Sequence, residues 1–151
     1  MMRKQFYWIV FLCGIIISCD HNEYSVTTNF EIINQSGKDI IIYSYNIFDL
    51  ESTITINDSE TFSDQIITSS RDGTRSFLHL FDSDSIKIVY ENQRYKIYKC
   101  FLRENGGCGE ERNILSFLDY EESGDNVYLL RYTFTEEDYQ NAEFCNEECG
   151  E

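Results

Sequence analysis

The chain has 151 residues, 27 Asp and Glu against 12 Lys and Arg, a net charge of −15, six cysteines and no proline. That length suits one domain and is too short for two of ordinary size. With 42% hydrophobic and 15% aromatic residues there is material for a core, which excludes global disorder, and the acidity argues against a protein that grips nucleic acid by neutralising phosphates.

Arg3 and Lys4 precede an unbroken apolar run from Phe6 to Ile17, the charged and apolar regions of a secretory signal. The run is too short to span a bilayer, which takes roughly 20 apolar residues, and the polar segment Ser18 to Glu23 ends it abruptly. Its end, Ile16-Ile17-Ser18-Cys19, resembles the lipobox of bacterial lipoproteins, with Ile16 where the family usually has Leu. The resemblance implies a diacylglyceryl thioether on Cys19, removal of residues 1–18 and acylation of the new amino group. Two or three acyl chains make a durable anchor where one is marginal. Cys13 leaves with the signal. Removal also takes Arg3 and Lys4 and no acid, so the charge becomes −17 over the remaining 133 residues. Asp20 and Glu23, close after Cys19, resemble the acidic export signal of surface lipoproteins of Bacteroidota. Residues 19–28 are expected to be a flexible tether, and residues 29–151 a single domain.

From Asn29 onward, short runs of β-branched and aromatic residues alternate with turn formers, the pattern of an antiparallel β-sandwich or a small barrel-like meander. Phe30 to Asn34 and Asp39 to Tyr45 read as a hairpin across Gln35-Ser36-Gly37-Lys38. Ile54 to Ile56 and Phe62 to Thr68 are further strands, and Ser76 to Phe81 reads as another after the turn Arg71 to Thr74. From Ile86 to Phe101 the period is two on both arms, with Ile86, Ile88 and Tyr90 on one and Tyr95 and Ile97 on the other. That predicts a hairpin turning at Glu91-Asn92-Gln93 with one face in the core. A loop with Gly106, Gly107 and Gly109 follows, then Asn113 to Tyr120 as strand or short helix and Asn126 to Phe134 as the final strand. Thr135 with Asp138 approximates a capping box, and Tyr139, Ala142 and Cys145 fall on one helical face, so a short helix closes a mainly β domain.

Four cysteines remain in the exported chain: Cys100, Cys108, Cys145 and Cys149. An even number in an oxidising compartment favours two disulfides. Zinc is the alternative, but the spacings lack the usual two-to-four-residue pair of ligands. Cys100 and Cys108 flank the Gly-rich loop and make a local pair the first choice. Cys145 and Cys149 are four apart, too far for a disulfide within a regular helix. Either the helix ends near Phe144, or these two reach back to the Cys100–Cys108 loop.

Catalytic motifs are sparse. His21 lies in the tether, and His79 on a predicted strand reads as a structural, sheet-facing side chain. Asp82-Ser83-Asp84 begins like a calcium loop but runs into strand residues. Asp119, Glu121, Glu122 and Asp125 fall in one loop, with Glu136, Glu137 and Asp138 at the helix start; a solvated acidic face is the plainest reading, and no metal or cofactor is implied.

Basic residues are more concentrated. Lys87, Arg94, Lys96, Lys99 and Arg103, interleaved with Tyr95 and Tyr98, form a strip on which an anionic or carbohydrate partner could dock, or which guards exposed strand edges. Asp84-Ser85-Ile86 resembles the O-glycosylation acceptor of Bacteroidota, which would place a glycan on Ser85. The whole chain thus resembles a small Bacteroidota lipoprotein. The resemblance implies an outer-membrane anchor facing periplasm or exterior and a non-catalytic binding or accessory role with an envelope protein or glycan. Two further classes stand beside it: a carboxylate hydrolase of envelope polymers, using residues such as Asp119 and Glu122, and an immunity lipoprotein opposing a basic toxin.

Overall fold

In a computed structural model that describes residues 25–46, 49–69, 76–100, 112–116, 119–146 and 149, strand β1 runs from Val26 to Gln35 and buries every second residue. Val26, Thr28, Phe30, Ile32 and Asn34 face inward, as period-two alternation requires of a strand covered on one side. β1 pairs antiparallel with β4 (Thr61–Thr68) and parallel with β8 (Val127–Thr135), and β8 pairs with β7 (Tyr120–Gly124). The second sheet has the order β3 (Asp49–Ile56), β2 (Ile40–Asn46), β5 (Ser85–Tyr90), β6 (Arg94–Lys99), β9 (Glu143–Phe144). Short connections at 36–39 and 57–60 join β1 to β2 and β3 to β4, so the sheets stack with β4 over β3 and β1 over β2. The result is a sandwich, with the strands in two separate sheets.

The β5–β6 hairpin forms as expected, with Ile86 opposite Tyr98 and Tyr90 opposite Arg94. Glu91 and Asn92 at its turn have φ of 44° and 55°, the positive values that match the twist of the flanking strands. Its core face differs on the second arm. Register places Arg94, Lys96 and Tyr98 on the side of Ile86, Ile88 and Tyr90, while Tyr95 and Ile97 face out.

Five other expectations are corrected. β1 and β2 do not form a hairpin. Asn34 Nδ2 donates to the carbonyls of Lys38 (2.7 Å) and Ile56 (3.0 Å), and its Oδ1 accepts from Ser36 N and Oγ. This buried amide turns the chain across to the other sheet, helped by Gly37 at φ +74°. Ser76 to Phe81 is not a strand. Phe77–Phe81 is helix α1, because Ser76 accepts from Leu78 N as an N-cap, Asp82 is left-handed at φ 47°, and Phe77 and Phe81, four apart, both reach the core. β1 begins at Val26, inside the expected tether, and Val26 and Thr28 are buried. The β1–β8 pair is parallel, against the expected antiparallel arrangement. β8 is not the last strand, since β9 adds to β6.

Phe77 of α1 meets Phe30 and Tyr132 edge-on at 5.4 and 6.3 Å. The 3-10 turn Ile114–Ser116 packs beneath it, with the Ser76 hydroxyl donating to the Leu115 carbonyl. The segment from Asn113 to Tyr120 thus holds a helical turn and the first residue of β7. Helix α2 (Glu136–Gln140) starts with the complete Thr135–Asp138 capping box. It ends before Phe144, which frees Cys145 and Cys149 to bond to each other with Cα atoms 5.5 Å apart. Cys145 N also donates to the Gln93 carbonyl, so the C-terminal segment is held on the hairpin turn.

Three phenols lie in this core. The Tyr98 hydroxyl bonds to that of Tyr132, which donates to the Arg112 carbonyl at 2.7 Å. Burial raises the pKa of Tyr90 and Tyr98, and it pushes Tyr132 up to about 12.

Candidate binding surface

The outer face of the five-stranded sheet is assembled by register. One row across it runs Thr55, Ile41, Val89, Tyr95, Glu143; the next runs Thr53, Tyr43, Lys87, Ile97; the third runs Leu50, Tyr45, Ser85, Lys99. An outward face usually alternates polar against the core, yet this one carries three tyrosines and four aliphatic residues. Tyr43, Tyr45 and Tyr95 are half-buried, and Val89 is fully buried although it faces outward. Burial and the neighbouring Tyr43 raise the pKa of Tyr45. Lys87 Nζ stands 5.6 Å from the centre of the Tyr95 ring, a cation–π contact, and the Tyr95 hydroxyl donates to Glu143 at 2.9 Å. That bond and the carboxylate raise the Tyr95 pKa.

The outer face of the other sheet has a different character. Arg131 bridges Glu31 at 2.7 Å and Glu121 at 3.8 Å, and Gln65 donates to Asn29 at 2.7 Å. Its polar side chains satisfy one another across the strands.

The basic strip expected from sequence is therefore divided between two sides of one sheet. Lys87, Tyr95 and Lys99 lie on the outer face. Arg94 and Lys96 lie on the other side, where Lys96 Nζ is 5.9 Å from the Tyr98 ring. Arg94 donates to the carbonyls of Tyr139 (3.3 Å), Gln140 (2.6 Å) and Ala142 (3.3 Å) and stacks 3.9 Å from the Phe144 ring. A guanidinium over the last carbonyls of α2 complements the negative end of the helix. Arg94 is occupied in holding the C-terminal segment and is withdrawn from the strip, while Arg103 lies outside the described residues.

Ser85 opens β5 on the outer face, its amide donating to Ser83 Oγ at 3.1 Å and its carbonyl accepting from the same hydroxyl at 2.7 Å. Ser83 Oγ also reaches the Tyr45 carbonyl, so Asp82-Ser83-Asp84 is a structural corner. Cys100 is disulfide-bonded; Cys108, its expected partner, and Cys19 and His21 lie outside the described residues. His79 is exposed on α1, where a sheet-facing side chain had been expected.

The acidic residues separate as well. Glu121 and Glu122 are strand residues of β7 and not loop residues, and Asp119 and Asp125 flank that strand; all four are exposed. Asp138 completes the helix cap and takes Arg112 in a two-pronged pair at 3.1 and 2.7 Å. Among the described residues, no group of three His, Cys, Asp or Glu is placed to hold a metal ion.

Reading the hairpin alone misses Ile41, Tyr43, Tyr45 and Leu50. Their signal in sequence is the run Ile40-Ile41-Ile42-Tyr43, apolar at both parities, which marks a strand with both faces covered. No protein-family model, curated protein or solved structure matches this chain.

Proposed function

We propose that the chain is a lipid-anchored cell-envelope protein, tethered to the outer membrane through Cys19, acting as a non-catalytic module that binds a carbohydrate chain on the outer face of its five-stranded sheet. The asymmetry of the two outer faces carries this reading. One face spends its polar groups on each other, while the other presents tyrosine rings and lysines of which, among the described residues, Lys87 engages Tyr95 and Tyr95 engages Glu143. Half-buried tyrosines lose little side-chain freedom when a ligand settles on them, because neighbouring strands already hold them. A sugar ring offers C–H groups to the aromatic surface and hydroxyls at its edge, where the Tyr43 and Tyr45 hydroxyls and the Lys87 and Lys99 ammonium groups supply hydrogen bonds.

Two measurements test the two halves of the reading. Radiolabelled palmitate is expected to enter the wild-type protein and not the Cys19→Ser variant; an unlabelled wild type removes the anchor. For the surface, native gels cast with dextran, xylan or polygalacturonate are expected to retard the protein in at least one polymer. The Tyr43→Ala, Lys87→Ala double variant should then migrate freely while unfolding at close to the wild-type temperature. Free migration of the wild type in all three gels, or unchanged retardation of the variant, overturns the carbohydrate assignment.

A further inference from the structure

The chain has 27 acidic residues against 12 basic ones, so its cations have carboxylates to spare as partners. Lys38, Arg112 and Arg131 each hold one, at 2.9, 2.7 and 2.7 Å, and Arg94 is taken up by carbonyls of the C-terminal segment. Lys87 and Lys99 differ. Among the described residues neither is paired with a carboxylate. Both stand on the outer face of the five-stranded sheet, Lys87 half-buried and Lys99 exposed. The one acid in the three rows of that face, Glu143, lies at its edge and accepts from Tyr95.

Register gives these lysines a repeat. Lys87 lies directly across from Tyr43, and in the next row Tyr45 and Lys99 flank Ser85. Each of the two rows thus offers one tyrosine ring and one cation, and the rows are about 7 Å apart, the rise of two strand residues. A polymer of rings that each carry a negative group presents the same alternation of apolar ring face and charge.

We infer that the carbohydrate bound on this face is a polyanion, a chain of sugar rings bearing carboxylate or sulfate groups, with Lys87 and Lys99 each taking an anionic group while Tyr43 and Tyr45 carry the rings. The inference rests on the carbohydrate reading of the surface and adds to it the charge of the ligand. A lysine ammonium is a compact point charge that pairs with either anion. The acidity of the whole chain does not oppose the contact. Glu31 and Glu121 belong to the outer face of the other sheet, where Arg131 holds them, and stacked sheets are about 10 Å apart. Those exposed charges are therefore more than one screening length, about 8 Å at 0.15 M salt, from a ligand on this face.

The test measures binding of the full chain, at 0.15 M salt, to beads carrying matched polymers: polygalacturonate and its fully methyl-esterified form, dextran sulfate and dextran, and poly-L-glutamate, which has charge and no rings. At least one anionic polysaccharide is expected to retain the protein, while its neutral counterpart and polyglutamate release it; the pair that responds tells carboxylate from sulfate. The Lys87→Gln, Lys99→Gln double variant should bind about tenfold more weakly, the share that two exposed ion pairs supply together, with an unchanged unfolding temperature. Lys99→Gln alone, at an exposed position, should show a smaller loss, and Arg131→Gln, which removes a cation from the other sheet, none. Equal retention by a charged polymer and its neutral counterpart overturns the inference and leaves the carbohydrate reading standing. Equal retention on polyglutamate, or undiminished binding of the lysine variants, overturns it as well. Release from every polysaccharide overturns both.

Discussion

Tyr90 is wholly buried, and its hydroxyl makes no hydrogen bond among the described residues. A buried hydroxyl without a partner costs about 1–3 kcal/mol relative to one that is satisfied. The ring is worth keeping, since it packs edge-on against Tyr139 at 5.7 Å. Tyr90→Phe is therefore expected to raise stability by about 1 kcal/mol, read as a higher urea midpoint with an unchanged slope. Tyr132→Phe is the opposite case. It removes the donor to the Arg112 carbonyl and the acceptor for Tyr98, so it should cost about 1 kcal/mol or more. A lower midpoint for Tyr90→Phe would show that its hydroxyl is satisfied in solution. Neither role is legible in sequence, where Tyr90 and Tyr132 are both simply inward-facing aromatic residues of a period-two strand.

At the scale of elements, β4 is an edge strand of eight residues with no proline, no lysine and one charge. That charge, Asp64, lies on the core-facing side between Phe62 and Ile66, opposite the fully buried Phe30. Although on the core-facing side by register, Asp64 is exposed at the rim of the sandwich, and a charge so placed on an edge guards against pairing with another chain, because a strand added there would have to cover the carboxylate. Asp64→Val is expected to leave the fold intact and to shift the protein to higher mass than wild type at equal concentration in sedimentation. An unchanged mass would mean that the edge is covered by other means. The β5–β6 hairpin was legible because period and turn lie within sixteen residues and agree. The β1–β2 connection was not, because Gln-Ser-Gly-Lys is as good a hairpin turn as a sheet-to-sheet crossing. What decides is the bond from Asn34 to Ile56, twenty-two positions away. Ser76 to Phe81 was ambiguous for another reason: its apolar residues satisfy both periods, and only the Ser76 cap and the pocket that receives Phe77 select the helix.

For the molecule as a whole, local sequence supplied half of the candidate surface. Lys87, Tyr95 and Lys99 stood out as lysine and tyrosine density, but Arg94 and Lys96 have the other parity and turn to the other side, and Tyr43 and Tyr45 arrive through pairing of β2 with β5. The core has its own molecule-wide consequence, in the response to alkali. Tyr90, Tyr98 and Tyr132 are all held above the ordinary phenol pKa by burial, Tyr132 moving from 10.0 to about 12. A folded-state value raised above the unfolded one means that the native state keeps its proton where the unfolded state has lost it. The stability this contributes is complete below about pH 10 and is lost as pH rises toward 12 and beyond. Each such phenol steepens the loss by about 1.4 kcal/mol per pH unit, so three together remove about 4 kcal/mol per pH unit. Against a typical total of about 5–15 kcal/mol, unfolding is expected within a few pH units above 10. Phenolate absorbance and far-ultraviolet circular dichroism are followed together from pH 9 upward. A steep step should follow in which both signals change at once. Smooth ionisation of all tyrosines with the circular dichroism unchanged would place the three phenols in contact with solvent and contradict this core.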